Sequence, residues 1–551
     1  MAGKALFDRG KTILSGLAVL AVMSLSATAG AQDFPRIGIK WHNYKSVFLE
    51  NDANITRALV SADVVLISPT PGKMEDEYRT KLATIRNTHP DLLVFRYMNI
   101  TELSPNSGKW APVVSVLTDY YDNPNRGGKD RANDGWLRKS DGAIVSYYKT
   151  NQSINITDYV SPYDGSRGVA SSDADLSKPR AGETVLDYVS RANYYVRIRP
   201  VEDYIDGVYE DVFRRWPKMP ADWNNDGTNS SKNINASPEI QRIWREAHVR
   251  NRDNMVGRTY NGKNPGNARS NGRAWLNNGG YFIGNMSAWS NASQVMDSLD
   301  SGVPLARIPE YEGVLYGGIH EGVFGRTNSS GGLAADGTEG EFLAGSFDQA
   351  LTGFNFRLSH TRSIPSLGHS VAILEAYAAN LQMARYIFAA GLLTDGVVNI
   401  RLYANDEPIQ PPWVLDEFVG GDIGNMTPQQ VYQQRKWLGE ALDPAYPLNP
   451  QKNNGRVHLR EFENGLVVLL AGKSHRDSHL TTTVNVSLPD PGAGYRWRRI
   501  DGSQDGGWND GSVVGGSIKL GTKSANINKN AIILVRELAR ARPRAPTVTV
   551  E

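Results

Sequence analysis

Short runs of apolar and β-branched residues recur along this chain, with apolar positions at helical spacing between them. The strand-like runs are Arg36–Trp41, Asp63–Ser68, Leu92–Ile100, Asp206–Phe213, Gly280–Asn285, Val314–Glu321, Arg362–Leu367 and Gly396–Leu402. Helical periodicity fits Asn54–Ser61, Glu75–Thr88, Thr184–Tyr204, Pro238–Tyr260, Ala292–Asp300, Glu339–Ser359 and Ser370–Leu393, one between each consecutive pair of strands. Strict alternation of this kind predicts a parallel sheet built from βα units. Eight strands with helices between them predict an α/β fold of the (β/α)8 TIM barrel type.

Two stretches fall outside the alternation. Residues 101–182, between the third strand and the next helix, are too long for an ordinary βα loop and predict a large insertion on the C-terminal face of the barrel. Inside it, Gly135–Tyr148 carries a Ser-Asp-Gly turn between apolar residues, a hairpin signal. After about Ala441 helical periodicity ends, and short strand-like runs punctuated by Gly, Asn and Asp predict an antiparallel β-sandwich domain. The predicted organisation is residues 1–31 as a signal peptide, 32–442 as the barrel with its insertion, 455–538 as the β-sandwich and 539–551 as a flexible tail. The first segment has Lys4, Arg9 and Lys11 ahead of an apolar run from Ile13 to Leu25, and Ala29-Gly30-Ala31 as the cleavage site. That pattern predicts export to the periplasm or the medium, with no membrane insertion after cleavage.

Composition narrows the chemistry. The chain of 551 residues has no Cys, which removes disulfides, thiolate metal sites and a Cys nucleophile. Its net charge is +2, and losing the three basic residues and Asp8 of the first segment brings it to zero. No electrostatic footprint for nucleic acid remains. There is no G-x-S-x-G after a strand, no G-x-x-x-x-G-K-[ST] and no H-E-x-x-H, and nothing points to an organic cofactor. Carboxylates and aromatic rings are left as the working groups.

Working groups of such barrels lie at the C-terminal ends of strands. The fourth strand ends in Glu210 and Asp211, of which only one can point inward, because side chains alternate along a strand. The sixth run ends in His320 and Glu321 and has Glu312 before its start. Glu417, with Trp413, follows the last strand. Two carboxylates across a cleft are what glycosidic cleavage requires. Trp41, Tyr97, Trp136, Tyr209 and Trp413 are candidate platforms for sugar faces, with His320 and Glu417 as further substrate contacts. Asp222, Asn224 and Asp226 in D-W-N-N-D-G match the first half of a calcium loop, though the twelfth position is Asn233 in place of Glu; a plain Asx-turn loop fits the same residues.

The segment DGVYEDVF followed by DWNNDG, the later WVLDEFVGGDIGN, and REFENGLVVLLA with YRWRRIDGSQDGGWNDG resemble a family of secreted bacterial TIM-barrel proteins classed as hypothetical glycosyl hydrolases. The resemblance runs from about Ile37 to Val535. It implies a polysaccharide-directed glycoside hydrolase, possible substrates including a bacterial exopolysaccharide, with Asp211 as nucleophile and Glu321 as acid/base. Two other readings of the same residues are a non-catalytic carbohydrate-binding protein on a barrel scaffold and a polysaccharide lyase, which needs a Tyr or His base and a cation opposite a uronate.

Overall fold

The structure, a computed structural model, describes residues 33–41, 48–49, 52–68, 75–105, 108–121, 135–146, 151–211, 213, 217, 219–231, 236–255, 280–285, 309–311, 313–321, 351, 354, 358, 361–378, 381–402, 414–448, 455–472, 483–521 and 530–539. The first segment, the tail and the helices expected at Ala292–Asp300 and across most of Glu339–Ser359 lie outside them. Among the described residues no helix is long and apolar enough to cross a membrane.

Eight parallel strands form one sheet in chain order: β1 (Gly38–Lys40), β2 (Val64–Ile67), β3 (Leu93–Met98), β4 (Gly207–Glu210), β5 (Tyr281–Asn285), β6 (Gly317–Glu321), β7 (Val371–Ala378) and β8 (Val397–Leu402). The sheet closes on itself: Ile37, just before β1, bridges Val398 in parallel, and the Val398 N–H donates to the Arg36 carbonyl at 2.9 Å. This is a TIM barrel. Period-two alternation divides every strand between two cores. Val64, Leu66, Leu93, Phe95, Tyr209, Ile283, Ile319, Val371, Ile373 and Val397 fill the interior. Their neighbours Val65, Ile67, Val94, Val208, Phe282, Leu374 and Val398 face the helices.

The helices between strands begin where the sequence supplies acceptors for their unpaired N–H groups. Helix α1 (Ala53–Ser61) is capped by Asp52, which accepts from Asn54 and Ile55. After α2 (Glu75–Thr88) and, within the insertion, α3 (Ala111–Asp119), helix α4 (Val185–Asn193) opens on a reciprocal Thr184–Asp187 capping box. Helices α5 (Pro238–Met255) and α6 (Leu381–Leu392) follow β4 and β7. A last helix, α7 (Pro428–Gln434), is capped by Thr427 and Gln430 in the same reciprocal way.

The seventh strand corrects the expectation from sequence. Arg362–Leu367 contains only an isolated bridge between Ile364 and His369, and the first part of the expected helix Ser370–Leu393 is β7. Its sequence, VAILEAYA, is rich in good helix formers, yet it pairs in parallel with both β6 and β8. Strand pairing on both sides outweighs a propensity difference of a few tenths of a kcal/mol per residue.

Within the insertion, Glu102–Leu103 pairs antiparallel with Gln152–Ser153, and the chain reverses at 139–142, where the Gly142 N–H donates to the Lys139 carbonyl. The C-terminal region is an antiparallel sheet containing β9 (Gly455–Phe462), β10 (Gly465–Gly472), β12 (Tyr495–Arg499) and β14 (Ala531–Leu538), with the two-stranded pair β11 (Val484–Ser487) and β13 (Ser517–Leu520) over one face. Trp497, Trp508, Ile518 and Leu520 fill the space between. The opposite face, including Val467, Leu469 and Ile533, joins the core of the barrel helices. Arg460 of β9 reaches the turn between α6 and β8 and donates to the Leu392 and Thr394 carbonyls at 3.1 and 2.5 Å and to Asp395 at 2.5 Å. Arg460→Met is expected to strand those buried carbonyls and lower unfolding free energy by about 1–3 kcal/mol in urea denaturation.

Candidate active site

The tip of β4 decides which of two adjacent acids belongs to the barrel mouth. Gly207 is required at its start, since a Cβ there would lie 2.3 Å from the Tyr281 carbonyl and 2.7 Å from the Phe95 ring. From that point Tyr209 packs in the interior and Val208 against the helices. Glu210 follows Val208 outward. It is fully buried, with its carboxylate 2.7 Å from His248 Nδ1 and accepting from Asn251 Nδ2 at 3.0 Å, both on α5. Burial pushes its pKa up from the ordinary value, opposed by His248 and by the Asn251 hydrogen bond. Glu210 therefore ties β4 to α5, and as a second choice for the catalytic acid it faces the wrong way.

Asp211 is the inward member. Its Oδ2 accepts from the Tyr97 hydroxyl at 2.7 Å, its Oδ1 from Asn285 Nδ2 at 2.9 Å, and the Tyr209 hydroxyl approaches Oδ1 at 3.5 Å. The Tyr97 and Tyr209 rings lie 5.6 Å apart and tilted. Every one of these groups comes from β3, β4 or β5, so adjacent rigid strands orient the carboxylate.

Across the barrel a second polar cluster occupies the same mouth. Glu375 on β7 is fully buried and accepts from Lys40 Nζ on β1 at 2.8 Å and from Arg401 Nη1 on β8 at 2.7 Å. Burial alone would raise the pKa of this carboxyl, but Lys40 and then Arg401 outweigh it and hold it at about 2. Lys40 Nζ also lies 5.8 Å from the centroid of the Tyr209 ring, which links this cluster to Asp211. Glu321, the last residue of β6, is the register partner of Glu375.

The other sequence candidates are distributed elsewhere. Tyr97 is half-buried at the mouth, whereas the Tyr209 ring is inward but fully buried, so it presents no open face to a ligand. Trp41 is fully buried on the helix side of β1, edge-on to Phe48 at 5.3 Å, and so presents no face to a ligand. Trp136 is buried within the insertion and donates to Thr118 Oγ1. His320 has the outward parity of β6 and packs edge-on to Phe354. Glu417 is buried at the joint with the C-terminal domain, where Arg385 pairs with it and Asn509 donates to it at 2.9 Å. Glu312 and Trp413 lie outside the described residues. In the Asp222, Asn224 and Asp226 loop, Asp226 makes an Asx turn by accepting from the Thr228 N–H and also accepts from Asn224 Nδ2, while Asp222 accepts from the Gly227 N–H five residues on. Among the described residues no group of three or more His, Asp or Glu side chains is placed to hold a metal ion.

Lys40, Asn285, Glu375, Asn399 and Arg401 were not singled out from sequence. Each is a polar residue inside a mostly apolar strand, the same signal that drew attention to β4. For Glu375 the signal was masked because its segment reads as a helix.

No protein-family model matches the chain, and no curated protein matches its sequence. The fold is similar to solved glycoside hydrolases. Trehalose-6-phosphate hydrolase of Bacillus licheniformis aligns over 91% of this chain and 99% of its own, at 9% identity and a TM-score of 0.43. An alpha-amylase from Geobacillus thermoleovorans, complexed with acarbose, aligns over 91% and 98%, at 9% identity and a TM-score of 0.38. The glycoside hydrolase domain of PelA from Pseudomonas aeruginosa aligns over 67% and 94%, at 11% identity and a TM-score of 0.33. Identity of this order assigns no role to any side chain.

Two outcomes test the electrostatics. Ionised Glu375 stabilises the fold above the unfolded carboxyl value of about 4.3, and that contribution is lost as pH falls toward about 2. An acid titration followed by tryptophan fluorescence should show stability falling through that window, with a shallower slope in Glu375→Gln. Glu210→Ala should cost about 1–3 kcal/mol by leaving His248 and Asn251 buried without their acceptor; an unchanged urea midpoint contradicts a bracing role.

Proposed function

We propose that this protein is an exported glycoside hydrolase that cleaves glycosidic bonds of a polysaccharide, with Asp211 and Glu321 as its carboxylate pair. The observation that carries the reading is Asp211 at the mouth of a (β/α)8 barrel, held by Tyr97 and Asn285 through both of its oxygens. Both partners donate, so the carboxylate is used as an acceptor. That suits a nucleophile on the anomeric carbon, or a base on the attacking water, and not the proton donor to the leaving oxygen.

The proton donor has to come from another strand. Glu321 ends β6, two strands from Asp211, and backbones two strands apart are separated by about 10 Å. Side chains extending from such positions can span the carboxyl separations of about 5–10 Å found in glycosidases of both stereochemical classes. Glu321 would protonate the leaving oxygen, and Asp211 would take the anomeric carbon in a covalent intermediate that water then releases. Tyr97, half-buried, offers a ring face to the sugar beside the carboxylate it orients, with Tyr209 packed beneath it. Export rests on the basic, apolar and small-residue order of residues 1–31.

The test is to incubate the protein with a panel of bacterial and plant polysaccharides and to analyse products for size and anomeric configuration. Asp211→Asn and Glu321→Gln are each expected to fold normally and to lose turnover by about 10²–10⁴-fold. Near-normal turnover in either variant removes that residue from the pair.

A further inference from the structure

We propose that His248 of α5 is a positioning residue for the reaction: without touching the substrate, it sets the Asp211 carboxylate in its attacking geometry by holding both Glu210 and Phe213, which flank Asp211 in the chain. The inference rests on the hydrolase reading above and adds a residue to that site.

Asp211 lies just beyond Glu210, the last residue of β4, and its backbone N–H donates to the Met98 carbonyl of β3 at 2.8 Å. The bonds from Tyr97 and Asn285 direct its carboxylate. Where its Cα stands depends on how the chain enters and leaves residue 211.

Both approaches are seated on one imidazole. On the entering side, Glu210 lies 2.7 Å from His248 Nδ1. On the leaving side, Phe213 is fully buried, and its ring centroid is 5.0 Å from that of His248 at a tilt of 54°. Trp244, one turn earlier on α5, meets the imidazole edge-on at 4.7 Å, so the ring cannot swing without displacing a buried indole. Asn251, on the next turn, donates to the second Glu210 oxygen at 3.0 Å and accepts from the Ser190 hydroxyl of α4 at 2.8 Å. The tip of β4 is thereby referenced to two helices.

The neighbouring strand is shaped for the same clasp. Gly284 of β5 is the register partner of Glu210, and a Cβ there would lie 2.9 Å from Phe213 Cβ. Phe213 thus sits in the notch that Gly284 leaves, beside Asn285, whose amide donates to Asp211. Moving Phe213 would disturb the strand tip and that amide together.

A buried polar pair of this kind adds little stability over an apolar pair of similar volume. What it adds is direction, because a hydrogen bond is made well in only a narrow range of angles. Direction matters at Asp211, since misplacing a reacting group by about 1 Å costs on the order of 10²-fold in rate.

The test replaces the pair with apolar residues, Glu210→Met/His248→Phe, which strands no charge and keeps a ring against Phe213 and Trp244. Circular dichroism and a urea midpoint should show this variant folded. On the polysaccharide that the wild type cleaves, its kcat should fall by about 10–10²-fold with KM within about twofold, because the substrate contacts remain. Glu210→Gln, which still accepts from Asn251 and can donate to Nδ1, should keep about tenfold more of kcat than the double variant. His248→Asn keeps a donor near the place of Nδ1 but removes the seat of Phe213, and its kcat should fall about tenfold with KM retained. Wild-type kcat in either folded His248 variant overturns the proposal, as does a change confined to KM.

Crystal structures give a readout independent of turnover. In the double variant Asp211 should move out of hydrogen-bond reach of Tyr97 or Asn285; an unmoved Asp211 overturns the positioning role whether or not the wild type cleaves. A shifted Asp211 in the variant, with no polysaccharide cleaved by the wild type, keeps the positioning role and overturns the hydrolase reading.

Discussion

The ion pairs that Glu375 makes with Lys40 and Arg401 cross the seam where the barrel closes. Glu375 is on β7, Arg401 on β8 and Lys40 on β1, so one buried carboxylate joins the last two strands to the first. Backbone pairing at that seam includes the bridge from Ile37 to Val398 just below the pairs. Closure removes the two exposed sheet edges that an open sheet would present. Buried ion pairs of this kind add little net stability over a well-packed apolar seam, but breaking one leaves a charge stranded. Removing one partner of the cluster therefore costs more than the intact cluster adds to stability.

The same closure sets the geometry of the mouth. With the ring complete, the inward residues of β3, β4 and β5 bring Tyr97, Asp211 and Asn285 within hydrogen-bonding distance, and those of β7, β8 and β1 bring the cations together across from them. Outside the ring, Glu210 and His248 brace β4 against α5, and Arg460 anchors the C-terminal sheet at the turn between α6 and β8. The Glu417 cluster adds a second joint to that domain, which is why an acid expected at the rim is spent on holding two domains together.

Much of this was legible in the chain. Seven of the eight barrel strands overlap apolar runs visible in the sequence, because a strand buried on both faces has to be apolar nearly throughout. The β-rich C-terminal region was legible for the related reason that turns between short strands need Gly, Asn and Asp. The failure at β7 has a definite cause. Ala, Leu and Glu favour a helix locally, and the register partners that make VAILEAYA a strand are 54 residues before it on β6 and 24 after it on β8. Trp41, Trp136 and His320 failed as mouth candidates because aromatic and imidazole rings suit a core as well as a cleft, and residue type does not tell the two apart.

Local pattern was thus enough to specify alternating strands and helices and the long excursion after β3, and to single out carboxylates and aromatic rings as the candidate groups. At the end of β4 it narrowed the acid to two neighbours, because alternation forbids both from pointing the same way. Choosing Asp211 over Glu210 required knowing which strand face lines the barrel, and that depends on His248 and Asn251 arriving from a helix about 40 residues later. The meeting of Lys40, Glu375 and Arg401 is further still from the reach of sequence, since 335 residues separate the first two. Short-range periodicity encodes the elements and their faces; ring closure sets the company each side chain keeps.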